Sequence, residues 1–293
     1  MGLNIPECSR HSGIDLKQQA ITGDETEFII SAISLFLTSC SNPGSFKSLP
    51  KRLSMIAYHF TSSEFALKAL RDRRLKIARI NELNDPFEYC AADFSDTDTR
   101  IKLEAFKNQA NERYGVICFC ESYHDPVLWS HYADGHRGVV MVFEIPDDQA
   151  IRINYQPERF KLDVDAAIRR GSFDDSDLNQ LISTKFSSWG YEKEIRMMCR
   201  LNDHFCQMDS KGKKVYFESL SLESYGVDAL KLVGLIRGVR CDLKPADIAS
   251  ELLAVDTLPV QDAQLDLSSF QIIASETYPV SGVRSFSACC FRV

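Results

Sequence analysis

The sequence predicts a mixed α/β or α+β domain, on three observations. Apolar runs at strand spacing alternate irregularly with stretches of helical periodicity. The chain has 293 residues, 44% of them hydrophobic and 26% charged, enough for one sizeable core. The strongest apolar run near the start, Phe28 to Leu37, falls short of the roughly 20 residues that span a bilayer.

The order of elements follows from the pattern. Residues 1–53 read as an N-terminal extension that ends in the loop-like Ser39 to Ser45. A single domain then occupies 54–280, and 281–293 form a tail. Ile56 to Thr61 reads as a strand. Ser62 or Ser63 can cap a helix to Arg73, with Phe65, Leu67 and Leu70 as its apolar positions. Leu75 to Ile80 alternates like a strand, Asn84-Asp85-Pro86 is a turn signal, and Asp98 to Arg113 is helical. Val116 to Cys120 and Gly138 to Ile145 read as buried strands, with a helix over Pro126 to Ala133 between them. A strand is expected over Ile151 to Tyr155 and a helix over Asp175 to Ser188. Leu230 to Val239 reads as a strand and Pro245 to Ala254 as a helix.

Trp189 to Met198 reads as a half-buried strand. Strand side chains alternate faces, so Glu192, Glu194 and Arg196 would project together. Two acids and a base are poor core material, but they suit a site that handles developing positive charge. The plain alternative is a solvated edge with a surface ion pair.

Three other clusters bear polar chemistry. In Tyr58 to Ser62, His59 and Thr61 share a face and could bind ribose hydroxyls; otherwise His59 is a satisfied core histidine. In Leu83 to Glu88, Asn84 and Asp85 mark either a structural turn or a binding loop. Trp129 to Gly138 gathers Trp129, Ser130, His131, Tyr132 and His136 ahead of a buried strand, which suggests a pocket.

The net charge of −7 disfavours broad nucleic-acid binding. The ten cysteines are not spaced as a disulfide framework and read as reduced thiols of a cytoplasmic protein. Leu37 to Cys40 has the look of a lipoprotein cleavage site, but it lies far from Met1 behind acidic residues, and a short buried helix fits better. Cys289 and Cys290 could accept an acyl chain, although a free tail is expected. Cys118 and Cys120 with His124, His131 and His136 could serve a metal-dependent hydrolase, but their spacing matches no common zinc pattern, so no metal is expected. Neither a phosphate-binding glycine loop nor a nucleophile elbow occurs.

Together the clusters resemble a bacterial family defined only as a domain of unknown function. Its motifs are Y-H-(F/Y)-T-S, L-N-D-P-F-E, W-S-H-Y-A-D with a following H-x-G, and W-x-Y-E-x-E-x-R. Here they are Tyr58 to Ser62, Leu83 to Glu88, Trp129 to Gly138 and Trp189 to Arg196. More distantly the chain resembles the ADP-ribosyltransferase superfamily. That resemblance implies a mixed, largely antiparallel split β-sheet flanked by helices, with NAD as the substrate that supplies the ribosyl group. His59 would match the early-strand element and Glu194 the late-strand acid, with Glu192 as accessory acid. Tyr132 or Ser130 would match the middle element. Thr61, Asn84, Asp85, Trp129, Ser130, His131 and Arg196 would contact NAD or a related nucleotide. The partner would be an unknown protein or nucleic-acid acceptor, not a membrane. The setting would be the bacterial cytoplasm, or a host cell if the protein is an effector or toxin; phage defence is a third role. A non-catalytic nucleotide-sensing module is the alternative.

Overall fold

The computed structural model describes residues 53–161, 180–222 and 230–285. The expected N-terminal extension, apart from Leu53, and the Cys289–Cys290 pair lie outside the described residues. No described helix is long and apolar enough to cross a membrane.

The chain runs β1 (Ser54–Thr61), α1 (Ser63–Asp72), β2 (Arg74–Arg79), α2 (Thr97–Arg113), β3 (Tyr114–Cys120), α3 (Pro126–Tyr132) and β4 (Val139–Pro146). Short strands β5 (Ile151–Arg152), β6 (Asn154–Gln156) and β7 (Thr184–Phe186) follow, then β8 (Glu194–Arg200), β9 (Phe205–Met208), β10 (Lys214–Ser221) and β11 (Leu230–Arg237). The chain closes with α4 (Pro245–Glu251), β12 (Thr257–Leu265), β13 (Ile272–Ala274) and β14 (Tyr278–Ser281).

Helices α1, α2 and α3 start where side chains satisfy one of their first free amides. The Ser62 hydroxyl accepts from Phe65 N, the Asp96 carboxylate from Thr99 N, and the Asp125 carboxylate from Val127 N. Pro126 sits in the first turn of α3, where a missing amide costs nothing. In α1 the buried positions are Ala66, Ala69 and Leu70, whereas Phe65 faces outward.

The sheet is mixed and mostly antiparallel; only β6–β7, β10–β11 and β11–β12 pair in parallel among the named strands. Its strands close into a barrel in the order β1–β4–β11–β10–β2–β3 and back to β1. One edge of β3 carries β8 along its whole length. The other edge is split, meeting β2 at Gly115 and Val116 and β1 at Cys120. Inside the barrel pack Ala57, Ile77, Phe119, Met141, Phe143 and Ile195, with Leu70 of α1 and Ile248 of α4 in the same cluster. A second cluster, including Phe60, Trp129 and Val140, joins the outer face to α3.

Three expectations need correction. The strand expected over 151–155 breaks at Ile153, whose amide donates to Glu194 O at 3.0 Å while its flanks pair with different partners. The helix expected to reach Ser188 has already ended, because Thr184–Phe186 pairs with β6; this tertiary pairing overrides local propensity. The strand expected from Trp189 begins only at Glu194. Residues Ser187–Glu192 form a 3-10 turn, and Lys193 is left-handed at φ 43°.

Candidate functional site

Strand pairing decides which candidates can meet. Residues opposite each other in an antiparallel pair project to the same face. Tyr58 faces Cys120, and Cys120 faces Glu194, so all three lie on the outer face of the barrel. His59 pairs with Met141, and both point into the barrel. There His59 sits edge-on to Phe119 and Phe143, with Nδ1 2.9 Å from Cys118 O. Thr61 shares that inward parity. His59 and Thr61 are therefore separated from Glu194 by the sheet, and His59 has the surroundings of a satisfied core histidine.

On the outer face five charges converge. Glu88, Glu192, Glu194 and Arg196 are 3%, 3%, 6% and 1% exposed, so the solvated-edge alternative does not describe them. Arg196 Nε lies 2.7 Å from Glu194 Oε1, and its Nη2 lies 3.0 Å from Glu194 Oε2 and 2.7 Å from Glu88 Oε1. Its Nη1 donates to Ile182 O at 3.2 Å. Lys185 Nζ stands 2.7 Å from Glu192, 3.2 Å from Glu194 and 3.4 Å from Glu88. The Lys185 ammonium also lies 4.8 Å from the Trp189 ring centre. Tyr132 donates its hydroxyl to Glu192 and hydrogen-bonds the Asn84 side chain. The Tyr155 hydroxyl accepts from Glu194 N at 2.8 Å.

Glu194 and Arg196 share a face by ordinary strand alternation. Glu192 arrives differently, from the 3-10 turn, with left-handed Lys193 between the two acids. Tyr89, next to Glu88, is also left-handed (φ 59°) and buried, and its hydroxyl lies 3.3 Å from Met198 Sδ. Such backbone costs of order 1–3 kcal/mol for a residue other than glycine. Two of these residues therefore flank the acids of one cluster, as strain does at functional sites.

The neighbouring charges hold Glu194 and Lys185 ionised. Burial raises the Glu194 carboxyl, but Arg196 and Lys185 outweigh it and bring its pKa to about 2. Burial opposes the Lys185 ammonium, yet Glu194, Glu88 and Glu192 together raise its pKa. Burial, and then the bond to Glu192, raises the Tyr132 phenol, so it stays a donor at neutral pH. The thiols of Cys118 and Cys120 are raised chiefly by burial and remain protonated.

A cavity of about 290 Å³ adjoins the cluster, lined among others by Asp85, Glu88, Thr184, Lys185 and Arg159. Two polar atoms of its lining residues, Glu88 Oε2 and Thr184 Oγ1, are buried without a hydrogen-bond partner among the described residues. Such atoms are costly to leave unsatisfied. Phe87 and Phe186 line the same cavity and are each more than half exposed. The Arg159 guanidinium lies 5.1 Å from the Phe87 ring centre and 3.9 Å from that of Phe94.

The structure thus brings together Glu192, Glu194, Arg196, Tyr132 and Asn84, and sets Asp85 in the cavity wall. It places the rest of the Trp129 cluster elsewhere. Trp129 is a core residue, fully buried, edge-on to Phe60 and donating from Nε1 to Tyr123 O at 2.6 Å. Ser130 and His131 are exposed, bonded to His136 and Tyr191 respectively. Cys118 and Cys120 do not gather His124, His131 or His136 into a ligand set among the described residues. Glu88, Lys185, Thr184 and Tyr155 were not among the candidates. Glu88 closes the Leu83–Glu88 motif and was within reach of it; Lys185 lay in a stretch read as helix.

No protein-family model matches the sequence, and no curated protein or solved structure matches it either.

The buried groups set an acid response. Burial lowers the His59 pKa from its ordinary 6.5, so the neutral ring contributes stability that is present above pH 6.5 and lost as the pH falls below it. The lowered Glu194 pKa contributes stability that is present above 4.5 and lost between about 4.5 and about 2. The melting temperature is expected to fall in two stages on acidification, with His59→Phe flattening part of the first. A first stage unchanged in that variant would remove His59 as a source.

Proposed function

We propose that the cavity beside Glu88 binds NAD, or a closely related nucleotide, and that the protein cleaves its nicotinamide–ribose bond, as an ADP-ribosyltransferase or NAD glycohydrolase. The observation that carries this reading is the pair of unsatisfied buried atoms, Glu88 Oε2 and Thr184 Oγ1, of two residues that line the cavity. A ribose diol supplies what both lack: one hydroxyl donates to the carboxylate while the other accepts from the threonine. The split edge of β3 supports an ADP-ribosyltransferase-like reading of the sheet.

In the reaction the C1′–N bond breaks and its electron pair leaves with nicotinamide, neutralising the positive ring. Charge develops on the ribose as an oxocarbenium-like state. A fixed carboxylate beside it stabilises that charge, as at other glycosidic centres. Water or an acceptor group then bonds to C1′ and releases its proton to solvent. Glu88 is the carboxylate with an oxygen available. Glu194 becomes a positioning group, since Arg196 and Lys185 occupy both of its oxygens. Arg159 supplies a cation for the pyrophosphate, and Phe87 and Phe186 supply flat surfaces for a base.

The same occupancy of Glu194 favours a second reading, a nucleotide-binding module without turnover. Incubation with NAD and chromatography of released nicotinamide separates the two. Turnover is expected in the wild type, with a loss of about 100-fold or more in Glu88→Gln. Equal turnover in that variant would overturn the assignment. A thermal shift with NAD recovered intact would favour the binding module.

A further inference from the structure

The barrel face of β8 bears a second cluster, apart from the cavity. Cys199 faces inward with Met197 and Ile195, on the opposite side of the strand from Glu194 and Arg196. Glu218 of β10 lies between Tyr216 and Leu220 in the inward-facing series, both packed on the barrel core. Alternation predicts an apolar residue there. Instead a carboxylate stands in that place, its side chain 13% exposed, accepting from Ser219 N at 2.8 Å. His204, in the turn between β8 and β9, brings Nδ1 to 3.4 Å from Glu218 Oε2. The ligand atoms of Cys199, His204 and Glu218 all lie within 4.8 Å of one another, a grouping found once among the described residues.

The geometry points to a divalent metal site of the zinc type formed by Cys199, His204 and Glu218. Zinc bonds of roughly 2.0–2.1 Å to nitrogen and oxygen, spread at a tetrahedral angle, put those atoms about 3.3 Å apart. The His204–Glu218 separation of 3.4 Å already has this edge length. A thiolate, an imidazole and a carboxylate together select zinc over magnesium or calcium. Cys199 is 3% exposed, while the imidazole and carboxylate side chains are 18% and 13% exposed, so a fourth position opens on their side to water. Binding forms Zn–S, Zn–N and Zn–O bonds. The Cys199 thiol releases its proton to the buffer, and no electron is transferred. The ion would tie β8, the following turn and β10 together at the barrel wall.

The test uses the full chain, reduced and freed of metal, then titrated with zinc or cobalt(II). About one zinc per chain is expected to be retained after gel filtration, with a rise in melting temperature. Cobalt(II) is expected to give a thiolate charge-transfer band. Cys199→Ser should lose that band. His204→Gln and Glu218→Gln should each weaken zinc retention at least 10-fold, and these two serve if the buried serine variant fails to fold. The exposed-thiol variant Cys206→Ser should behave as wild type. Failure of the wild type to retain zinc, or equal retention in His204→Gln and Glu218→Gln, would overturn the assignment.

Discussion

Replacing Arg196 by leucine is expected to cost about 3–5 kcal/mol, because it strands buried carboxylates without their main counter-charge. Arg196 is 1% exposed and bonds Glu88, Glu194 and Ile182 O at once. Its loss leaves Lys185 as the one cation among the described residues in contact with the three glutamates. Urea denaturation would read the effect as a lower midpoint at unchanged slope. Adding Glu194→Gln to Arg196→Leu removes one stranded charge and is expected to recover part of the loss. A single variant no worse than a surface substitution, or a double variant that is simply additive, would mean that the network carries little energy.

Gly138→Ala is expected to cost about 3 kcal/mol or more, by a different mechanism. A methyl group at Gly138 would stand 2.2 Å from Thr61 O and 2.9 Å from the Ala133 carbonyl, and backbone atoms cannot swing aside. Gly138 N also donates to the Ala133 carbonyl at 2.8 Å, and the Gly138 carbonyl accepts from Gly238 N at 2.9 Å. Gly238 is equally confined, with His136 O 2.2 Å from an added Cβ. This junction joins the end of β1, the start of β4, the end of β11 and the left-handed run Asp134, Gly135 and His136 behind α3. Tyr132 sits at the end of α3, so a shift there should also weaken its bond to Glu192. A melting temperature within a degree or two of wild type would show that the junction can open after all.

Much of this was legible in the sequence. Ser62 announces the start of α1, helical periodicity marks α2 and α3, and β1, β2, β3, β4 and β11 follow from apolar alternation or continuous apolar runs. The segment 184–193 was not legible, because its conformation depends on parallel pairing with β6 and on one left-handed lysine, and neither leaves a local signature. The pairing of Glu194 with Arg196 follows from spacing two apart on a strand. The presence of Glu88 and Lys185 beside them does not, since those residues come from elements brought in by tertiary packing. His59 shows the limit most clearly. Its residue type suits a site, yet the parity of β1 turns it into the barrel. Parity relative to a strand far along the chain becomes visible only when the sheet is assembled.

The five charges between α3, β7 and β8 do not sum to zero. Among the described residues, Glu88, Glu192 and Glu194 stand against Lys185 and Arg196, three negative groups to two positive ones beside the cavity. A positively charged ligand group beside Glu88 would offset the extra carboxylate of these five residues. A ligand with a positive ring is therefore expected to bind more tightly than a neutral analogue of the same shape, and the gap to narrow as salt is added.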